Sequence, residues 1–221
     1  MHNKLAAMLQ LQDSFNKKVH PNWIEQGFRW DHAIMCEAAE LMEHAGYKWW
    51  KKQEPDMNQM IMEMVDIWHF GMSLDLTNNI IAADHALPDS NLLISCYINS
   101  IENARDEPIH PEFDLDIFKD GIALLTHYIT QEQGIFADDI FFKMWYLLGL
   151  NLDDLYKKYI GKNALNEFRQ LNGYKDGSYI KIWHDEEDNE QLTKILDNIV
   201  LDENLYTNTL TALSVVYETV K

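Results

Sequence analysis

The chain has 221 residues, and its 18 lysines and arginines against 36 aspartates and glutamates give a formal net charge of −18 at pH 7. This length can bury a substantial core, and the 47% apolar and 24% charged fractions argue against wholesale disorder. So acidic a surface repels phosphate backbones and anionic lipids, which disfavours both nucleic-acid binding and membrane-surface binding.

Apolar residues recur at helical spacing along the chain, while glycine and proline are scarce and strand-like alternation is almost absent. The sequence therefore predicts an all-α helical bundle that forms a single domain over residues 1–221. The predicted helices cover residues 3–16, 30–45, 56–78, 89–104, 113–132, 137–159, 161–171, 189–200 and 204–219. Predicted breaks coincide with Pro21, Pro55, Pro88, Pro108, Pro111, Gly134 and residues 173–177. Residues 80–112 carry the weakest pattern and are the candidate for a less-ordered or inserted region.

The two cysteines, Cys36 and Cys96, are too few for a disulfide framework or a zinc site, and we interpret each as a small buried side chain. No apolar run reaches the length of a membrane span, and the first residues lack the apolar core of a signal peptide. The sequence therefore predicts a reducing, cytoplasmic location and no membrane partner.

Two predicted helices carry acidic pairs at i, i+3 spacing: Glu37 and Glu40 in E-A-A-E, and Glu63 and Asp66 in E-M-V-D. The second helix is apolar in nearly every other direction, which is typical of a buried helix, and buried carboxylates are costly unless they are compensated. Neither acidic pair shares its side of the helix with a lysine or arginine, so we expect hard divalent cations to compensate these charges. Four carboxylates without a thiolate favour Mg²⁺ or Mn²⁺ over zinc. The simpler interpretation is that both acidic pairs face solvent.

Carboxylates on bundle helices also occur in di-iron proteins, which usually supply two Glu-x-x-His motifs. This chain offers one imperfect version, Asp66-Ile-Trp-His69, and neither Glu37 nor Glu40 is followed by a histidine three residues later. A di-iron site is therefore the less favoured alternative.

Three further groups of residues have the chemistry to bind the base and the phosphates of a nucleotide. Gln12 and Asn16 stand i, i+4 on the first helix and offer amides that complement a nucleobase edge, although such pairs are also common on exposed faces. The K-W-W-K loop (48–51) either anchors the core or forms an aromatic wall for a planar ring. Residues 157–183 hold 6 of the 18 basic residues, which fits a phosphate site or the preference of basic residues for helix C termini. Together these parts fit metal-assisted hydrolysis of a nucleoside polyphosphate.

In this order, the motifs resemble the dimeric dUTPases of the all-α nucleoside triphosphate pyrophosphohydrolase superfamily. The resemblance runs through L-Q-L-Q-D-S-F-N (9–16), E-A-A-E-L (37–41), K-W-W-K (48–51), E-M-V-D-I-W-H-F (63–70), the block Y-I-G-K-N-A-L-N-E-F-R-Q-L-N-G-Y-K-D-G-S-Y-I-K-I-W (159–183) and E-D-N (187–189). It implies a helical homodimer that cleaves dUTP to dUMP and pyrophosphate with Mg²⁺, with Mn²⁺ as an alternative, and that also cleaves dUDP. Such an activity limits uracil incorporation into DNA and supplies dUMP.

The resemblance also implies roles for individual residues. The family's metal ligands are matched by Glu37, Glu40, Glu63 and Asp66, and Glu37 matches the carboxylate that activates the attacking water. The uracil pocket is matched by Gln12, Asn16, Trp49, His69 and Phe70. The segment that closes over sugar and phosphates is matched by Lys162, Asn166, Arg169, Tyr174, Lys175 and Lys181. We expect Arg169→Ala to raise KM and lower kcat/KM while the fold stays intact.

Two alternatives stay open from the sequence. The same chemistry on dCTP or another nucleotide fits, because the base pocket rests on few residues. A catalytically silent helical dimer that binds a nucleotide or a protein partner also fits, although the retention of all four carboxylates argues against lost catalysis.

Overall fold

The computed structural model of the chain describes residues 1–82, 90–106, 113–131 and 134–220. It confirms the all-α prediction, with one hairpin of two short strands among the described residues. The chain forms two compact units, Met1–Leu152 and Asp153–Lys221, which are described separately below. The single domain over residues 1–221 stays a prediction.

The first unit is built around one long central helix. Its elements are α1 (His2–Val19), a 3₁₀ helix (Trp23–Gln26), α2 (Trp30–His44), α3 (Met57–Ala82), α4 (Ser90–Asp106), α5 (Leu115–Ile129) and α6 (Asp138–Leu147). Helix α3 packs against α1, α2 and α6, which explains why its sequence is apolar in most directions. The most extensive of these packings, with α2, places the two acidic motifs on neighbouring helices.

The core of the first unit is an aromatic cluster around the fully buried Trp68. Phe141 stacks on Trp68 with 5.2 Å between ring centroids, and Tyr97 approaches it at 4.9 Å. At Gly71, the next turn of α3, a Cβ atom would lie 2.6 Å from the Phe136 ring, so glycine allows this ring to pack directly on the helix backbone. These contacts fix the position of α3, which carries much of the candidate site.

The described residues of the segment 80–112 are the end of α3 at 80–82 and the whole of helix α4. Helix α4 buries Tyr97 and Ile101 and packs against α1 and α6. That residues 80–112 form a less-ordered or inserted region stays a prediction. Residues 83–89 and 107–112 of this segment lie outside the described residues. The breaks predicted at Pro88, Pro108 and Pro111 also fall outside them.

A half-buried carboxylate, that of Asp75, links α3 to α4 away from the acidic motifs. The Tyr97 hydroxyl donates to Oδ2 of Asp75 at 2.7 Å. Burial raises the pKa of Asp75 from its ordinary value of 3.8 to about 7, the hydrogen bond from Tyr97 opposes this rise, and the charge of Asp138 adds to it. Because the folded state holds the Asp75 proton more tightly than the unfolded chain, the contribution of Asp75 to the unfolding free energy falls as pH rises from 3.8 towards about 7.

We expect Asp75→Asn to flatten this pH dependence, because asparagine stays neutral and its carbonyl still accepts from Tyr97. The variant should gain on the order of 2–4 kcal/mol of unfolding free energy at pH 8 and almost nothing at pH 4. Urea unfolding midpoints between pH 4 and pH 8 measure this effect. Asp106→Asn, at a carboxylate that is 74% exposed, is the matched control and should follow wild type. An unchanged pH dependence in Asp75→Asn would contradict the assignment.

The second unit contains most of α7 (Leu152–Leu171), then β1 (Ile182–Trp183), β2 (Glu186–Glu187), α8 (Asp188–Asp197) and α9 (Leu205–Tyr217). The two strands are antiparallel, with Ile182 opposite Glu187. Trp183 is fully buried and contacts the rings of Phe168 on α7 and Tyr217 on α9, which forms the centre of this unit.

One predicted boundary is wrong. The helices predicted over 137–159 and 161–171 are instead α6, which ends at Leu147, and α7, which continues through Gly161. The break falls near Gly149, whose φ of 75° lies in the left-handed region that favours glycine. Gly161 stays inside α7, and a Cβ there would lie 2.6 Å from Leu196 of α8, so this glycine permits close approach of the two helices.

The cysteine interpretation is also wrong, because Cys36 and Cys96 are both exposed free thiols. Helix α2 buries Ile34, Ala38 and Leu41 at i, i+4 and i+7, which turns Cys36 towards the opposite face. In the described ranges, none of the helices combines the length and apolar character that a membrane span requires.

Candidate active site

Three carboxylates from α2 and α3 form an acidic trio: Glu37, Glu63 and Asp66. One oxygen from each lies within 4.8 Å of the other two. The i, i+3 spacing places Glu63 and Asp66 on one face of α3, and the packing of α2 along α3 brings Glu37 to that face. Glu63 is only 6% exposed, whereas Glu37 and Asp66 are half-buried. The trio therefore lies at the edge of the core of the first unit.

The oxygen ligands of the trio suit a hard divalent cation. Carboxylates this close repel one another, and a bound cation would remove that repulsion. Glu40 is exposed and is not part of this group, so the structure brings together three of the four predicted ligands. His44 of α2 places Nε2 at 3.7 Å from Oε1 of Glu63, a contact that the sequence analysis missed.

A second polar cluster joins α1 to α3. Gln12 Nε2 donates to Ser73 Oγ at 2.9 Å and to Asn16 Oδ1 at 3.2 Å, and Asn16 Nδ2 donates to Ser73 Oγ at 2.9 Å. His69 Nδ1 lies 2.9 Å from Gln12 Oε1. All four side chains are buried, so the interpretation of Gln12 and Asn16 as an exposed pair is wrong. In the sequence, Ser73 falls on the same polar side of this helix as Glu63, Asp66 and His69, but sequence reasoning assigned it no role in the site.

The predicted aromatic residues occupy different environments. Phe70 is half-buried and stacks on Trp30, with 6.2 Å between centroids and 29° between planes. Trp49 is 90% exposed and meets Trp50 edge-on at 5.6 Å, while Lys48 forms an ion pair with Glu43. The K-W-W-K loop therefore does not anchor the core, and a role for Trp49 in base binding stays a prediction.

Arg169 of the predicted phosphate-binding segment forms a bidentate ion pair with Asp188 at the start of α8. Its Nε donates to Oδ2 at 2.8 Å and its Nη2 to Oδ1 at 2.7 Å. Asp188 is 0% exposed and also accepts from the Tyr179 hydroxyl at 2.7 Å. Arg169 is therefore part of the internal structure of the second unit, and we no longer expect Arg169→Ala to leave the fold intact.

Two more residues of this segment lie beside the ion pair on α7. Lys162 is buried, and its Nζ donates to Asn189 Oδ1 at 2.9 Å. Asn166 Oδ1 accepts from Arg169 Nη1 at 3.2 Å. The spacing of Lys162, Asn166 and Arg169 places all three along one side of α7, facing the start of α8.

The remaining predicted residues of the segment lie nearer to solvent. Tyr174 and Lys175 are exposed, and the Arg169 guanidinium lies over the Tyr174 ring at 5.8 Å from its centroid. Lys181 Nζ lies 2.9 Å from Glu187 Oε2. The structure thus places all six predicted residues in the second unit. Sequence reasoning missed Asp188 as the partner of Arg169, although it noted the E-D-N motif at 187–189.

A comparison with protein families gives the arrangement an independent identification. A family model described as dUTPase matches residues 4–174, well over half of the chain. The matched range includes the acidic trio and the buried amide cluster. No curated protein matches the chain significantly. The chain therefore belongs to the dUTPase family, whose members are all-α hydrolases that act on dUTP.

Proposed function

We propose that this chain cleaves dUTP to dUMP and pyrophosphate, and dUDP to dUMP and phosphate, with Mg²⁺ held by the acidic trio. The observation that carries the proposal is the trio itself, whose oxygens lie within 4.8 Å of one another in a chain of the dUTPase family. An all-oxygen ligand set favours Mg²⁺, with Mn²⁺ as an alternative, over zinc. Glu40, one turn after Glu37 on α2, is the proposed fourth ligand.

A bound divalent cation would polarise phosphate oxygens and favour deprotonation of water. We assign Glu37 as the residue that accepts the proton of the attacking water, because it matches the water-activating carboxylate of the dimeric dUTPases that the sequence resembles. Glu63 and Asp66 hold their charges on the same face of the rigid helix α3. The packing of α3 against three helices keeps these charges in place.

For the base, we propose that Gln12 and Asn16 contact the edge of uracil, with His69, Phe70 and Trp49 completing the pocket. The two amides are buried and hydrogen-bonded, so their donors and acceptors are held in defined positions. Cytosine exchanges a donor for an acceptor at the same edge, and a buried polar group that loses its partner is costly. Matched hydrogen bonding therefore provides selectivity for uracil.

For sugar and phosphates, we propose the polar and basic residues of the second unit, namely Lys162, Asn166, Arg169, Tyr174, Lys175 and Lys181. Guanidinium and ammonium groups form strong charge-assisted hydrogen bonds with phosphate oxygens. Asp188 and Asn189 hold Arg169 and Lys162 in fixed orientations, which lowers the entropy cost of ordering them around an anion.

We also propose that the chain forms a homodimer in a reducing, cytoplasmic compartment. Helix α5 exposes Ile117, Leu124 and Tyr128, whose spacing places them on one side of the helix. Exposed apolar surface of this kind is typical of subunit contacts. The free thiols of Cys36 and Cys96 match a reducing compartment.

A steady-state comparison of dUTP, dUDP, dCTP, dTTP and UTP with Mg²⁺ tests the substrate assignment. We expect cleavage of both dUTP and dUDP, and a kcat/KM for dUTP that exceeds that for dCTP by at least about 100-fold. Equal or preferred cleavage of dCTP would overturn the base assignment while leaving the metal chemistry. Absence of dUTP cleavage would overturn the proposal as a whole.

A further inference from the structure

Ser73 lies at the centre of the buried polar cluster and uses its full hydrogen-bonding capacity there. Its side chain is 0% exposed. Its hydroxyl donates to the backbone oxygen of His69 at 3.0 Å and accepts from Gln12 Nε2 and Asn16 Nδ2, each at 2.9 Å. A serine hydroxyl has one hydrogen and two lone pairs, so these three contacts occupy all of them.

The hydrogen bond from Ser73 to the backbone determines the direction of the two hydrogen bonds between Ser73 and the amides. A carbonyl oxygen can only accept, so the single hydroxyl hydrogen points to His69 O. Both amides must then present their nitrogen atoms, and not their oxygen atoms, to Ser73 Oγ. The direction of one hydroxyl thus fixes which way round the Gln12 and Asn16 amides lie.

The other hydrogen bonds of the cluster require the same orientation of the Gln12 amide. A second N–H of Gln12 reaches Asn16 Oδ1 at 3.2 Å, and Gln12 Oε1 accepts from Nδ1 of His69 at 2.9 Å. Reversing the Gln12 amide would set its oxygen against the oxygens of Ser73 and Asn16. A buried oxygen that faces another acceptor has no hydrogen-bond donor, and the free-energy cost of removing it from water is then not compensated.

We infer that Ser73 is a positioning residue that locks the two amides and thereby determines the discrimination between uracil and cytosine. This inference rests on the proposed function, in which those amides contact the base. Uracil offers a carbonyl acceptor and an N–H donor, whereas cytosine offers an amino donor and a ring-nitrogen acceptor. An amide that can reverse satisfies either base, so only a locked amide rejects cytosine.

Ser73→Ala tests the inference, with Thr77→Val as the matched control. Thr77 is buried one turn later on α3, and its Oγ1 donates to the backbone oxygen of Ser73 at 2.8 Å. Each substitution removes one buried hydroxyl that bonds the preceding helical turn, but only Ser73 touches the amides. The readout is the ratio of kcat/KM for dUTP to kcat/KM for dCTP, because both values fall equally when part of the protein is unfolded.

We expect Ser73→Ala to lower this ratio by about tenfold or more, Thr77→Val to leave it within about twofold of wild type, and Ser73→Thr, which restores a hydroxyl, to recover most of it. A wild-type ratio preserved in Ser73→Ala would overturn the inference and leave the proposed function standing. A wild-type protein that cleaves dUTP and dCTP equally would overturn the proposed base assignment and this inference together.

Discussion

Glu63→Gln is expected to lower kcat for dUTP by about 10³-fold, since a catalytic cation supplies several kcal/mol of transition-state stabilisation and each 1.36 kcal/mol is tenfold. Glu63 is the most buried member of the acidic trio. Glutamine keeps the shape of the side chain and one oxygen but removes the charge that attracts the cation. Initial rates of dUTP cleavage at saturating Mg²⁺ measure this loss.

Glu43→Gln is the matched control for this loss, because Glu43 is an exposed glutamate on α2 that pairs with Lys48 and is not part of the trio. Its kcat should stay close to wild type. Thermal unfolding provides a readout without turnover: Mg²⁺ at 100 times its Kd should stabilise wild type and Glu43→Gln by about 2.7 kcal/mol. The same Mg²⁺ concentration should stabilise Glu63→Gln much less. Full activity and full Mg²⁺ stabilisation in Glu63→Gln would contradict the assignment of the trio.

Arg169→Ala is expected to destabilise the second unit by about 3–5 kcal/mol, the usual consequence of removing one partner from a buried ion pair. Asp188 is 0% exposed. Arg169→Ala removes its guanidinium partner, so the Asp188 carboxylate stays buried while it keeps the hydrogen bond from the Tyr179 hydroxyl. Arg169→Lys retains a positive charge but not the bidentate geometry and should give an intermediate loss. Urea unfolding followed by circular dichroism measures these differences.

Lys175→Ala provides the comparison within the same basic segment. Lys175 is exposed, and substitutions at such positions usually change unfolding free energy by less than about 0.5 kcal/mol. Equal stability of Arg169→Ala and Lys175→Ala would show that the Arg169–Asp188 pair does not stabilise the second unit.

The acidic motifs show how far helical spacing can predict a site. The E-x-x-E and E-x-x-D patterns place each pair on one face of its own helix. They do not specify how α2 is rotated against α3, and that rotation decides which carboxylates meet. Glu37 therefore joins Glu63 and Asp66, whereas Glu40 stays exposed outside the trio.

The second unit shows what sequence patterns cannot give. A cluster of basic residues is the local signal of an anion site, but the acid that binds Arg169 lies 19 residues further along the chain. Gly161 looked like a helix boundary, yet it lies within α7 where Leu196 approaches closely. The hairpin was not predicted because its turn, His184-Asp185, has positive φ angles of 52° and 69° without the glycine that usually signals such turns.

Pyrophosphate release from dUTP, measured for wild type and Glu37→Ala with Mg²⁺ and with excess EDTA, is the decisive measurement for the metal-dependent dUTPase proposed above. We expect rapid release by wild type with Mg²⁺, none with EDTA, and none from Glu37→Ala under either condition. Undiminished release in EDTA would show that the reaction does not need the cation, and undiminished release from Glu37→Ala would show that it does not need the Glu37 carboxylate.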